Sequence, residues 1–178
     1  MIYNVAQLLK APTGTVQRVT LDDEDNLELQ DNEAELMGPV EGEVKLHRTN
    51  QGIFADGYVE VPVEMECIRC LEPFVATLRF PLREQFYPTI DVNTGVPVAP
   101  PADDLAFPLD RNHLLDLREA IRQNLVLAMP VKPLCKDDCA GLCPTCGRNL
   151  NDGPCDCPPE PVDDRFSALR ELLEQQGQ

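Results

Sequence analysis

Five of the chain's eight cysteines fall in the stretch from Cys139 to Cys157, "CAGLCPTCGRNLNDGPCDC", and the other three are Cys67, Cys70 and Cys135. Such a density admits three uses: disulfides, a redox pair or metal ligation. No opening segment combines a basic start, an apolar run and a small-residue cleavage site, and no apolar run reaches the roughly 18 residues of a membrane helix. A cytoplasmic location without a membrane partner is therefore expected. Thiols stay reduced there, which leaves metal or redox chemistry for clustered cysteines.

In "CPTCG", Cys143 and Cys146 bring two sulfurs to one point, and Gly147 permits a positive φ just after the second of them. Cys155 and Cys157 follow an eight-residue loop closed by Gly153 and Pro154. Those four thiolates can fill a tetrahedral zinc site, leaving Cys67, Cys70, Cys135 and Cys139 for a second, for two structural ions in all. A ribbon-type pairing of Cys67 and Cys70 with Cys143 and Cys146 remains open. The first partition is favoured because it closes smaller loops at lower entropic cost. A thioredoxin-like reading of either Cys-x-x-Cys pair needs a βαβ context with a helix N-terminus to lower the thiol pKa, and neither pair has one. A catalytic zinc keeps an open position, whereas here sulfur can fill every site. His47, on the polar face of a strand, and His113, just before a helix, read as surface residues. No phosphate loop, nucleophile elbow or paired-carboxylate helix is present, and no small-molecule substrate is evident. The residues describe a structural zinc protein without catalysis; a Cys-x-x-Cys redox protein or a zinc-dependent enzyme is the alternative.

At 178 residues the chain can bury about 70% of its unfolded surface, enough for a core without staples. Alternation marks three strands. In "PVEGEVKLHRT", Val40, Val44 and Leu46 oppose Glu41, Glu43, Lys45 and His47; "NQG" at 50–52 turns the chain. "YVEVPVEMEC" and "FVATLRFPLREQF" continue the pattern, with Cys67 and Cys70 at the hairpin tip between them. Pro62 and Pro81 must sit where no ladder donor is needed. Ahead of this meander, "NVAQLLKAP" reads as a short helix and Thr13 to Leu21 as a strand. After it, residues 88–112 hold five prolines and read as a long loop. "HLLDLREAIRQNLVLAMP" spaces Leu114, Leu117, Ile121, Leu125 and Ala128 as one helix face, ending at Pro130 and serving as cover for the sheet. "DDRFSALRELLEQQ" closes the chain as a short helix with Phe166, Leu169 and Leu172 on one side. The expected fold class is α+β: an antiparallel meander covered by a helix, residues 1–134, followed by a cysteine-rich zinc-binding segment and terminal helix, residues 135–178.

Fifteen basic against 31 acidic residues give a net charge of -16, which repels polyanions at long range. Eight of the acids lie between Asp22 and Glu35 with no base among them, and read as a solvated loop, residues 22–35.

"CIRCLEPF" on a hairpin, a Pro-rich acidic loop, "DLREAIRQNLVLAMPVKPLC", the cysteine stretch and "DDRFSALRELL", in that order, resemble the YceD-like proteins of bacteria and plastids, from about Val40 to Leu173. The resemblance implies a role in accumulation of large-subunit (23S) rRNA and hence in ribosome assembly. Its partner is then that rRNA, a basic ribosomal protein or an assembly intermediate. Candidate contacts are Arg69, Arg79 and Arg83 of the hairpin region and Arg118 and Arg122, one turn apart on the helix. The ordinary alternative for each is an arginine that solvates its own strand or helix. At this net charge, a basic protein is as good a partner as RNA.

Overall fold

The computed structural model describes residues 1–23, 27, 35–99 and 106–158. Residues 159–178, with the expected terminal helix, lie outside the described residues. So do most of the acidic stretch and residues 100–105 of the Pro-rich one.

Alternating apolar residues build the main sheet. Strands β2 (Val16–Asp23), β4 (Val40–Arg48), β5 (Ile53–Glu66) and β6 (Pro73–Tyr87) pair antiparallel in that order. Short β3 (Glu35–Leu36) extends the β4 side of β5, and β7 (Phe107–Pro108) adds parallel to the end of β6. Register puts Val59 opposite Phe80, Val61 opposite Leu78 and Val63 opposite Ala76, so one face is apolar, and Val59, Val61, Val63, Phe80 and Leu82 are buried. The opposite face pairs charges across the strands: Arg79 with Glu60, Arg83 with Asp56 and Arg18 with Glu43. Met37 N–H donates to the Pro62 carbonyl at 2.9 Å, and around Pro81 no described strand borders the far edge of β6. Neither proline interrupts a ladder that needs its donor.

The apolar face is closed from two ends rather than by one helix. Helix α2 (Arg118–Ala128) packs against β6, burying Ala120, Ile121 and Leu125, while Asn124 Nδ2 donates to Glu84 Oε1 at 2.9 Å. At the other end, β1 (Ile2–Asn4) pairs with β8 (Leu114–Asp116) as a separate two-stranded sheet, and α1 (Ala6–Lys10) buries Leu8 and Leu9. Tyr3 Oη donates to the Thr20 carbonyl, and Arg48 Nε to the Leu9 carbonyl, fastening this end to β2 and β4.

Several boundaries differ from the sequence reading. The helix starts at Arg118, not at Leu114, because Asp110 Oδ1 accepts the N–H groups of Asn112 and Leu114 and His113 takes a left-handed φ of 59°. That turn releases Leu114 to Asp116 into β8. Asp116 Oδ1 then accepts the Arg118 N–H in an Asx turn that leads into α2. Asp22 and Asp23 belong to β2, and Glu35 to β3, so the acidic stretch begins and ends in sheet. The Pro-rich stretch carries local order: Asp91 Oδ1 accepts the N–H groups of Asn93 and Thr94, and Ile90 bridges Pro97.

Candidate metal centres

Two backbone knuckles present the Cys-x-x-Cys pairs. In each, the N–H four residues after the first cysteine returns to that cysteine's carbonyl: Leu71 to Cys67 at 2.8 Å and Gly147 to Cys143 at 2.9 Å. In each, the first cysteine's N–H also reaches the carbonyl five residues on, Glu72 at 3.0 Å and Arg148 at 2.8 Å. The closure requires a left-handed residue after the second cysteine, supplied by Gly147 at φ 72° and, against its side chain's preference, by Leu71 at φ 59°.

The sulfurs of Cys67, Cys70, Cys135 and Cys139 all lie within 4.8 Å of one another, and so do those of Cys143, Cys146, Cys155 and Cys157. Cys67 and Cys70 are thus grouped with Cys135 and Cys139, not with Cys143 and Cys146. Cys67 Sγ is 3.8 Å from Cys139 Sγ, and Cys70 Sγ is 3.7 Å from Cys135 Sγ. Disulfide sulfurs sit about 2.05 Å apart, so these are thiols. A tetrahedron with a metal–sulfur bond of about 2.3 Å has sulfurs about 3.8 Å apart, the spacing of these two pairs in the first cluster, and the 4.8 Å limit on both groups is compatible with it. Both clusters can therefore hold a metal ion.

The first cluster bridges the fold. Cys67 and Cys70 hang from the β5–β6 hairpin, and Cys135 and Cys139 follow α2. The Ile68 N–H donates to the Pro133 carbonyl at 3.0 Å, and Phe74, Leu134 and Leu142 pack around the sulfurs. Cys67, Cys70 and Cys139 are buried and Cys135 is half-buried. The second cluster is local and more open, with Cys143 buried, Cys155 and Cys157 intermediate and Cys146 exposed.

Crowded thiols without a cation cannot all ionise. Burial opposes charge on Cys67, but the N–H groups of Cys135, Cys70 and Arg69 outweigh it and bring the thiol down to about 6. The N–H groups of Cys146 and Thr145 lower Cys143 to about 6 as well. Cys139 is lowered, first by the Asn151 side chain, against the cost of burial. Their neighbours move the other way: burial and adjacent thiols push Cys135 up to about 12, and the Cys146 thiol with burial pushes Cys157 up to about 12. Cys70 is raised although the Glu72 N–H favours its thiolate. A divalent cation is the group that lets four such sulfurs ionise together.

The five candidate arginines do not form one surface. Arg69 Nη1 donates to the Cys139 carbonyl at 2.9 Å and sits inside the first cluster's support. Arg79 and Arg83 lie on the outer sheet face, where Arg79 also stacks over Tyr58 at 5.1 Å. Arg118 pairs with Asp116 at 2.6 Å, and Arg122 with Glu119 at 2.7 Å, the latter holding Glu119 down to about 2. Neither histidine joins a cluster: His47 faces the Phe54 ring, and the His113 carbonyl accepts the Val5 N–H.

Sequence reasoning passed over Asn149 and Asn151, which lie in what reads as a spacer between Cys146 and Cys155. Asn149 Oδ1 accepts the Asn151 N–H and starts a short 3-10 helix, Leu150–Asp152, while the Asn151 amide reaches Cys139 Sγ at 3.3 Å. An Asn-x-Asn pair between ligands was the available signal.

A family model described as "Large ribosomal RNA subunit accumulation protein YceD" matches residues 55–173, a span that takes in all eight cysteines. Uncharacterized proteins of Mycobacterium bovis and Mycobacterium tuberculosis are each 30% identical over 132 residues, covering 74% of this chain and 60% of theirs. An uncharacterized protein of Mycobacterium leprae is 26% identical over 136 residues, covering 76% of this chain and 59% of its own length. The chain thus spans about 60% of the length of the curated relatives it matches. No solved structure matches it.

Proposed function

The chain belongs to the YceD family, and on that premise we propose that it is a noncatalytic, cytoplasmic zinc-binding factor that supports accumulation of large-subunit rRNA and ribosome assembly. The observation that carries this reading is the family match over residues 55–173, because it contains the hairpin knuckle, α2 and both sulfur clusters in one span. Zinc is the metal favoured by four thiolates at tetrahedral spacing. Its role is structural, since four sulfurs leave no position for substrate or water.

The partner follows from charge. At -16 overall, the chain repels bulk RNA, and a phosphate approaching Arg79, Arg83, Arg118 or Arg122 must displace a carboxylate from each. Exposed pairs such as Arg79–Glu60 and Arg83–Asp56 are worth at most about 1 kcal/mol, so that exchange is inexpensive there. A basic ribosomal protein needs no such exchange, so on charge it is as good a partner as RNA.

Depletion of the protein should lower the level of large-subunit rRNA and leave the small subunit comparatively intact. An unchanged ribosome profile would reject the role. Pull-down from cell extract with and without ribonuclease separates the partners: ribosomal proteins retained after RNA digestion support the protein route, and their complete loss supports RNA contact. Metal analysis of the reduced protein should find about two zinc ions per chain. Metal-free protein with a cycling disulfide would favour the redox alternative.

A further inference from the structure

The two sulfur clusters are joined by more than the short link from Cys139 to Cys143. Asn151 belongs to the loop that the second cluster closes, between Cys146 and Cys155, yet its side chain serves the first. Its Nδ2 donates to Cys139 Sγ at 3.3 Å and to Asn149 Oδ1 at 2.8 Å, which uses both amide hydrogens. Its Oδ1 accepts the Ala140 N–H at 3.0 Å, and this contact fixes which end of the amide faces the sulfur. The backbone runs alongside: Leu142 N–H donates to the Arg69 carbonyl at 3.1 Å, and Leu150 N–H to the Gly141 carbonyl at 2.8 Å. Gly141 has a left-handed φ of 75°, and a Cβ there would come within 3.2 Å of the Arg69 carbonyl oxygen. The strap therefore has little slack.

We infer that Asn151 is a positioning residue that couples the two metal centres, so that filling the second, local cluster raises the metal affinity of the first, bridging one. This rests on the reading of both clusters as metal sites. A metal held by Cys143, Cys146, Cys155 and Cys157 closes the loop that carries Asn151 and holds the amide donor at Cys139. An N–H···S bond lowers the charge on a metal-bound thiolate, which matters most where three of the four sulfurs are buried. Without the second metal, that donor is placed only by the fold of its loop. Linkage makes the effect reciprocal, so filling the first site tightens the second by the same factor. Two tetrathiolate centres are each dianionic, and their repulsion opposes joint loading. Positive coupling means that the donor outweighs that repulsion.

The test uses the full, reduced, metal-free chain titrated with zinc and followed by native mass spectrometry, which counts chains with zero, one and two ions. Coupled loading shows as a one-ion population smaller than that of the uncoupled variant Asn151→Ala. Asn151→Ala should restore the one-ion species and weaken the first site by about tenfold, the lower end of the usual outer-sphere effect. A double-mutant cycle isolates the link: Cys157→Ser should weaken the first site by about tenfold in the wild-type background and add nothing further in Asn151→Ala. Cobalt titration adds a reading of the sulfur itself, since loss of the N–H···S bond should shift the thiolate-to-cobalt charge-transfer band to lower energy. Equal one-ion populations in wild type and Asn151→Ala would overturn the coupling, as would a larger one-ion population in the wild type than in Asn151→Ala, the sign of net repulsion. Failure of the wild type to bind zinc at all would overturn the metal reading and this inference with it.

Discussion

The knuckles at Cys67–Leu71 and Cys143–Gly147 have the same hydrogen bonds and opposite surroundings. The first lies at the tip of the longest hairpin, buries both of its cysteines, and shares its cluster with cysteines 65 residues or more away, the separation of Cys70 from Cys135. The second faces solvent, and its partners follow after an eight-residue loop. One pattern of bonds therefore occurs in two settings: the bridging cluster joins the hairpin tip to the chain beyond α2, and the local one draws its four cysteines from residues 143–157. Loop closure alone does not decide between such sites. Lengthening the loop from about nine residues to 65 costs about 2 kcal/mol, small beside the roughly 10 kcal/mol that a structural zinc contributes in small domains.

The comparison breaks most visibly at Cys70. Cys70→Ser removes a buried ligand and leaves three crowded thiols between the hairpin and the α2 end. We expect loss of one metal and detachment of residues 133–143 from the hairpin tip, read as fast amide exchange at Ile68 and Leu142, whose bonds to Pro133 and Arg69 cross that junction. If Cys70→Ser leaves both amides protected, the bridging cluster does not hold the fold together.

Cys146→Ser should also release one metal, but with loosening confined to residues 143–157 while the sheet's core retains its protection. Should Cys146→Ser unfold the whole chain, the two clusters would not differ in kind. Chelation gives the same ordering without mutation. The second cluster, with Cys146 exposed, should yield its metal to a chelator first, and the first cluster later. Release of both ions in a single phase would erase the distinction between an open and a buried site.

How much of this could be read in the sequence follows from element length. Strands β4, β5 and β6 run nine to 15 residues, long enough for alternation to be unambiguous, and α2 shows its period over 11. Strands β1 and β8 are three residues each, too short for any period, and exist because tertiary contacts order them. Leu114 shares the helical spacing of Leu117 and Ile121, yet the Asp110 turn decides its fate through backbone hydrogen bonds that hydrophobic patterning does not report. In the clusters, the cysteine types and their grouping were legible, because Cys-x-x-Cys spacing has few uses. The role of Arg69 was not: its charge suggested an outward contact, while its guanidinium turns to the Cys139 carbonyl. Gly147 announced its knuckle, whereas Leu71, in the same conformation, carried no such mark.

That last contrast gives the smallest and sharpest test. Leu71 holds φ at 59° in the place where the other knuckle has glycine at 72°, and it is 55% exposed, so its side chain contributes little burial to offset the strain. A non-glycine residue in this region costs on the order of 1 kcal/mol or more, while glycine adds entropy to the unfolded chain worth about 0.5–1 kcal/mol. The native strain is the larger of the two, so Leu71→Gly should leave stability unchanged or raise it by up to about 1 kcal/mol, with both metals retained. Gly147→Leu transfers the strain to the other knuckle and should destabilise the metal-bound loop by about 1–2 kcal/mol. It should do so without a steric clash, because no atom lies within 4 Å of a Cβ built there. Metal affinity of each variant, measured by competition with a chelator, checks both directions. Marked weakening by Leu71→Gly would mean that the leucine side chain itself supports the bridging cluster, and that the two knuckles are alike only in their backbone.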